Sequence, residues 1–180
     1  MNKKTIKDID VKGKKVFVRV DYNVPFDDKM NITNDTRMVR TLPTLNHLLD
    51  GGAALILACH IGRPTEAKEE KFSTKHLVKH LAELLKKDVK WASDCVGPEA
   101  EKAAADLKPG EVLLLENLRY HKEEKKNDPA FAKQLASLAD IAVDDAFGVA
   151  HRAHASNVGI ASDLETVAGF LMEKEINYIG

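Results

Sequence analysis

Short apolar runs that stop abruptly at ionisable residues recur along the chain and restrict its fold more than any other feature. Val16-Phe17-Val18-Arg19-Val20 leads into Asp21, Leu55-Ile56-Leu57-Ala58-Cys59 into His60, Val112-Leu113-Leu114-Leu115 into Glu116, and Ile141-Ala142-Val143 into Asp144. Such runs are too short for helices and lack the alternation of a strand with one wet face, so they predict strands buried on both faces. Pro25 and Pro64, just beyond the first two, forbid further regular pairing.

Helical patterns fill the intervals. Asn34-Asp35-Thr36 supplies N-cap chemistry for a segment reaching Asp50, with Pro43 marking a kink or a late start. Ser73-Thr74 caps a second helix whose Leu77, Val78, Leu81, Leu84 and Leu85 share one face. A strand is expected around Val89 to Ala92, then helices over Pro98 to Leu107 and over Pro129 to Ala139, the latter with Phe131, Leu135 and Leu138 inward. Thr65 to Lys71 reads as a solvated loop and Lys122 to Asp128 as a charge-rich linker. Leu164, Val167, Ala168, Leu171 and Met172 mark a last amphipathic helix that continues to Ile179 without a cap. Buried strands alternating with helices predict an α/β fold: a Rossmann-like three-layer αβα arrangement around a parallel sheet of about five to six strands, with right-handed crossovers.

The 180 residues suffice for a sizeable core in one ordinary domain, and a net charge of −1 leaves no overall field for nucleic acid or an anionic membrane. Any anion site must therefore be local. The start carries no apolar region like that of a secretory signal, and no window approaches a membrane span, so a cytoplasmic location is expected. Cys59 and Cys95 lack CxxC spacing and are expected to be free thiols.

In a parallel sheet the segments after the strand ends meet along one rim, which collects Asp21, Asn23, His60, Arg63, Arg119 and Arg152, with Arg37 opening a nearby helix. Only six basic residues are arginine against 21 lysines, so a rim that draws four of the six suggests bidentate grip on carboxylate or phosphate. The expected ligand is a short phosphorylated acid; a surface ion-pair network is the alternative. No G-x-x-x-x-G-K-[ST] loop, G-x-G-x-x-G turn or G-x-S-x-G elbow occurs, so neither a nucleotide phosphate cradle nor a serine nucleophile is indicated, and Ser156 near His154 does not argue one. A metal reading would use His60, His151 and His154, each near an arginine that opposes a cation, while His76 and His80, spaced i, i+4, fit a solvated helix face. A phosphoacid-binding module without a catalytic partner and a histidine-based metallohydrolase are thus both open readings of the rim.

Five segments in order resemble the motifs of the phosphoglycerate kinase family: Arg19-Val20-Asp21-Tyr22-Asn23-Val24-Pro25, Ile32-Thr33-Asn34-Asp35-Thr36-Arg37, His60-Ile61-Gly62-Arg63-Pro64, Glu116-Asn117-Leu118-Arg119-Tyr120, and Asp145-Ala146-Phe147-Gly148-Val149-Ala150-His151-Arg152-Ala153-His154. The resemblance implies a phosphoglycerate-binding N-terminal domain over 1–172 and the start of an interdomain helix over 173–180, with the nucleotide-binding C-terminal domain absent. It implies that Asp21 and Asn23 hold the 2-hydroxyl side of the substrate, that His60, Arg63, Arg119 and Arg152 hold the 3-phosphate, and that Arg37 faces the carboxylate and the phosphoryl group in flight. Arg37 is the catalytic candidate. The implied reaction is reversible transfer between 1,3-bisphosphoglycerate and ADP, giving 3-phosphoglycerate and ATP in glycolysis, with Mg-ATP or Mg-ADP on the missing domain. This chain is then expected to bind 3-phosphoglycerate without turnover, as a monomer, with neither metal nor cofactor of its own. Two departures stand out: Asp144 where asparagine is expected, an extra negative charge if it faces the rim, and Cys59 where serine is usual. The surface on which the family's far C-terminal tail packs is expected to be exposed.

Overall fold

The computed structural model describes residues 4–65, 68–146 and 154–173. Six strands are formed: Lys15–Val20 (β1), Ala54–Ala58 (β2), Val89–Ala92 (β3), Val112–Leu115 (β4), Ile141–Asp145 (β5) and Thr166–Ala168 (β6). They make one sheet in the order β3-β4-β2-β1-β5-β6, and every neighbouring pair is parallel. This is the three-layer α/β architecture expected from the apolar runs.

The two-residue period of a strand sorts the core into two layers. Val16, Val18 and Val20 pack with Leu55 and Leu57, and with Met38, Leu45 and Leu48 of the helix Thr36–Asp50 (α1) and Leu81 and Leu85 of the helix Val78–Leu85 (α2). Phe17, Ile56 and Leu113 face the other side, against Ala100 and Ala104 of the helix Pro98–Ala105 (α3) and Phe131 and Leu135 of the helix Pro129–Ala136 (α4). Each fully buried Val, Leu, Ile or Phe contributes about 1.5–3 kcal/mol, which is why runs apolar on both faces are stable only between two helical layers.

Helices on opposite faces also position the site. The connections after β1 and β2 lead to α1 and α2 on one face; those after β3 and β4 lead to α3 and α4 on the other. Since β2 lies beside β4, and β1 beside β5, neighbouring connections diverge at two places and open crevices beyond the strand carboxyl ends.

Several local expectations need correction. The pattern from Leu164 to Met172 is not one helix: Thr166 and Val167 are β-branched and pair with Ala142 and Val143, so β6 closes the sheet edge. A helix opens only at 170, after Gly169, where Asp145 Oδ1 accepts from the N–H groups of Leu171 at 2.9 Å and Met172 at 3.4 Å. Apolar residues in a strand followed by a helical turn thus imitate a single helical stripe. Lys122 to Asp128, read as a charge-rich linker, also carries a buried charge, because Glu124 within it is fully buried. Pro43 lies inside α1 rather than at a late start, and its missing hydrogen bond frees the carbonyl of Val39, an exposed residue that water can reach. The second helix begins as a 3-10 turn over Thr74–Leu77, while α3 and α4 end at Ala105 and Ala136, two to three residues early.

Candidate anion site

Three connections at the carboxyl edge are stitched together by side-chain amides. Asn23, after β1, accepts on Oδ1 from the Gly62 N–H at 2.9 Å, which fixes the connection after β2. Gly62 sits at φ +61°, and a methyl group there would collide with the Phe72 ring, so only glycine fits this close approach. Asn117, after β4, donates from Nδ2 to the carbonyls of Ile61 and Phe72, each at 2.9 Å, and accepts on Oδ1 from the Arg119 N–H at 2.9 Å. Arg63 and Arg119 are thereby mounted on fixed backbone. Asp21 and Arg37 meet beside them: Arg37 Nη1 lies 3.3 Å from Asp21 Oδ1 and donates to the Asn23 carbonyl at 2.8 Å. The Arg37 side chain is half exposed, so its ion pair is weak.

Beneath this edge lies a buried polar network. Arg19 in β1 is 1% exposed, donating from Nε to Ser156 Oγ at 2.8 Å and from Nη1 to the Val20 carbonyl at 2.6 Å. Its Nη2 lies 3.1 Å from His60 Nδ1 and 3.9 Å from Glu124 Oε2. Glu124 also accepts from the Ser156 hydroxyl and, at 2.9 Å, from the Ser156 N–H. A guanidinium has no acceptor, so His60 Nδ1 must accept and the ring proton sits on Nε2. Neither Arg19 nor Glu124 was singled out for the site. The available signal was Arg19 itself, a cation inside an apolar strand, which demands a buried partner. Ser156 is a structural link in this network.

Arg63 and Arg119 line one cleft of about 690 Å³, together with His121, Lys122, Lys125 and Lys126 against, among the described residues, the one acid Glu123. It lies at the divergence of the connections after β2 and β4, and the cations among its described lining residues suit an anion in a way that the overall charge of −1 does not predict. Burial pushes the Tyr120 phenol up to about 12, leaving it a neutral donor to the Glu69 carbonyl at the cleft wall.

Of the expected rim residues, Asp21, Asn23 and Arg37 form one bonded group, His60 is held from below by Arg19, and Arg63 and Arg119 share the cleft. Arg152 and His151 lie outside the described residues, as does the segment after 173. Asp144 lines a separate groove of about 490 Å³ with Lys4 and Asn157, and its Oδ1 accepts from the Ala146 N–H at 3.2 Å. His76 and His80 are committed elsewhere, His76 to Glu70 at 3.0 Å and His80 to Asp35 at 2.8 Å. Both cysteines are free and buried.

The phosphoglycerate kinase family model matches residues 6–180. Phosphoglycerate kinase of Desulforudis audaxviator is 52% identical over 180 residues, covering all of this chain and 46% of that protein. A cytosolic phosphoglycerate kinase of Triticum aestivum is 57% identical over 176 residues, covering 97% of this chain and 44% of its own length. The crystal structure of phosphoglycerate kinase from Pyrococcus horikoshii OT3 superposes with a TM-score of 0.88 at 37% identity, covering 97% of this chain and 44% of that one. The chain thus spans less than half the length of these relatives. With the family model running over all but its first five residues, this chain belongs to the phosphoglycerate kinase family.

Proposed function

We propose that this chain is the substrate-holding half of a phosphoglycerate kinase and binds 3-phosphoglycerate, or 1,3-bisphosphoglycerate in the glycolytic direction, without turnover on its own. The observation that carries the reading is the pairing of Arg63 and Arg119 in one cleft at the divergence between β2 and β4. Two guanidinium groups on backbone fixed by Asn23 and Asn117 suit a terminal phosphate, with His60 as a neutral donor and Arg152 as a further cation. Asp21 and Asn23 bracket the hydroxyl-bearing carbon. Arg37 is the catalytic residue of the proposal: its spare donors neutralise charge spreading over the transferred phosphoryl oxygens, which in such reactions is most of what the protein must do besides positioning. Mg-ATP or Mg-ADP belongs to the remainder of such a protein, a C-terminal domain beyond this chain, so transfer in glycolysis requires closure of two halves. A cytoplasmic monomer without nucleic-acid or membrane partners completes the proposal; among the described residues no helix is long and apolar enough to cross a membrane.

Calorimetric titration of the 180-residue chain tests this. Saturable binding of 3-phosphoglycerate with none of Mg-ATP is expected. Equal affinity for unrelated phosphates would favour a general phosphoacid module instead, and zinc-dependent hydrolysis would favour a metalloenzyme.

A further inference from the structure

Asp94 and Cys95 follow β3, and His121 follows the 3-10 turn Leu118–Tyr120 beyond the adjacent β4. One ligand atom from each lies within 4.8 Å of the other two. The side chains of Asp94 and His121 are 30% and 23% exposed, whereas Cys95 is fully buried, so the group is open to solvent on one side and closed on the other. His121 Nε2 lies 2.7 Å from Asp94 Oδ1, and Nδ1 on the far side of the ring lies 3.9 Å from Glu123 Oε2. The ring also rests on Phe131 of α4, with centroids 5.2 Å apart. His121 also lines the cleft of Arg63 and Arg119, but none of the substrate contacts proposed above uses Asp94, Cys95 or His121 as a ligand.

We infer that Asp94, Cys95 and His121 form a binding site for a zinc-class divalent cation that clasps the connections after β3 and β4. A carboxylate, a thiolate and an imidazole are the oxygen, sulfur and nitrogen donors of tetrahedral Zn2+, with contacts of about 2.0–2.3 Å and solvent in the fourth position. The thiolate and imidazole select against Mg2+ and Ca2+. The charges balance: one carboxylate and one thiolate neutralise the ion, so the buried side of the site carries no net charge. Protons balance as well. The cation displaces the proton between His121 Nε2 and Asp94 Oδ1, His121 keeps one proton on Nδ1 facing Glu123, and the Cys95 thiol releases its proton to solvent. Glu123, 3.9 Å from Nδ1, stands behind the imidazole without a hydrogen bond in the metal-free chain.

In the metal-free chain, burial and the charges of Asp94 and Glu124 push the Cys95 thiol well above its ordinary range, so it is inert at neutral pH. The second thiol, Cys59, is also buried and takes no part in the cluster, which makes it the internal control.

Titration of the 180-residue chain with Co2+ and then Zn2+ decides the matter. One Co2+ per chain with a thiolate-to-metal charge-transfer band is expected, displaced by Zn2+, with a Zn2+-dependent rise in Tm. Cys95→Ser should abolish the band, His121→Gln should weaken binding by about 10-fold or more, and Cys59→Ser should change neither. His121→Gln alters a partly exposed side chain, so it reads the site even if Cys95→Ser does not fold. Absence of the band, its survival in Cys95→Ser, or unchanged affinity in His121→Gln overturns the site.

Discussion

Arg19 Nη2 stands 3.1 Å from His60 Nδ1, and both residues are buried. Because the guanidinium can only donate, the contact fixes both the tautomer of His60 and its neutral charge state, leaving Nε2–H as its donor. We predict that His60→Gln, which keeps a donor near the Nε2 position, holds 3-phosphoglycerate within a few-fold of the parent. His60→Asn, which keeps only an acceptor for Arg19, should fold normally and lose roughly 10-fold in affinity. Nitrogen NMR of the His60 ring reads the tautomer directly; protonation at Nδ1 would falsify the assignment.

Arg63 is an exposed cation of the cleft, and a charged hydrogen bond to phosphate is worth about 1.5–3 kcal/mol. Arg63→Ala should therefore weaken 3-phosphoglycerate roughly 10- to 100-fold with little change in stability. Calorimetry on the two chains checks it, and equal affinity removes Arg63 from the site.

Glu124 is fully buried beside Arg19 and accepts twice from Ser156. Glu124→Ala leaves a buried guanidinium uncompensated and should cost about 3 kcal/mol or more, whereas Glu124→Gln should cost markedly less. Urea denaturation of the pair measures the difference; a loss under about 1 kcal/mol in the alanine variant would show that the network is not structural.

Gly62 combines a left-handed backbone with contact against Phe72. Gly62→Ala should destabilise the chain by about 1–3 kcal/mol and, by displacing the N–H that Asn23 holds, weaken 3-phosphoglycerate as well. Unchanged affinity in a folded Gly62→Ala chain would separate that amide from ligand binding.

Burial pushes the Asp145 carboxyl up to about 7, against the lowering by the Thr44 hydroxyl and the Leu171 and Met172 N–H groups, while nearby Asp144 raises it further. Its folded value exceeds its unfolded one, so the stability it contributes is complete below about 4 and is lost as pH rises through about 7. Asp145→Asn should flatten that slope and leave the chain more stable than its parent at pH 8 by roughly 1–3 kcal/mol. Parallel pH profiles for the two chains would show that Asp145 is ionised throughout.

The sequence by itself determined the parallel core of the sheet and that the segments after β1, β2 and β4 meet at one edge. Val16 to Val20, Leu55 to Cys59 and Val112 to Leu115 are apolar on both faces, and that composition has one economical solution, a parallel sheet between helices; the polar residues that end each run then share an edge. Only the tertiary structure decided what lies beneath that edge. Arg19 meets His60, Ser156 and Glu124 across 41, 137 and 105 residues of sequence, and no local pattern encodes such pairings. The same limit explains β6: Leu164 to Met172 carries a helical period, yet the unpaired edge of β5 takes Thr166 to Ala168 as a strand, because hydrogen bonds to a distant partner outweigh local propensity. Likewise Asp94, Cys95 and His121 form a cluster only because β3 and β4 lie side by side, a neighbourhood set by packing rather than by spacing along the chain.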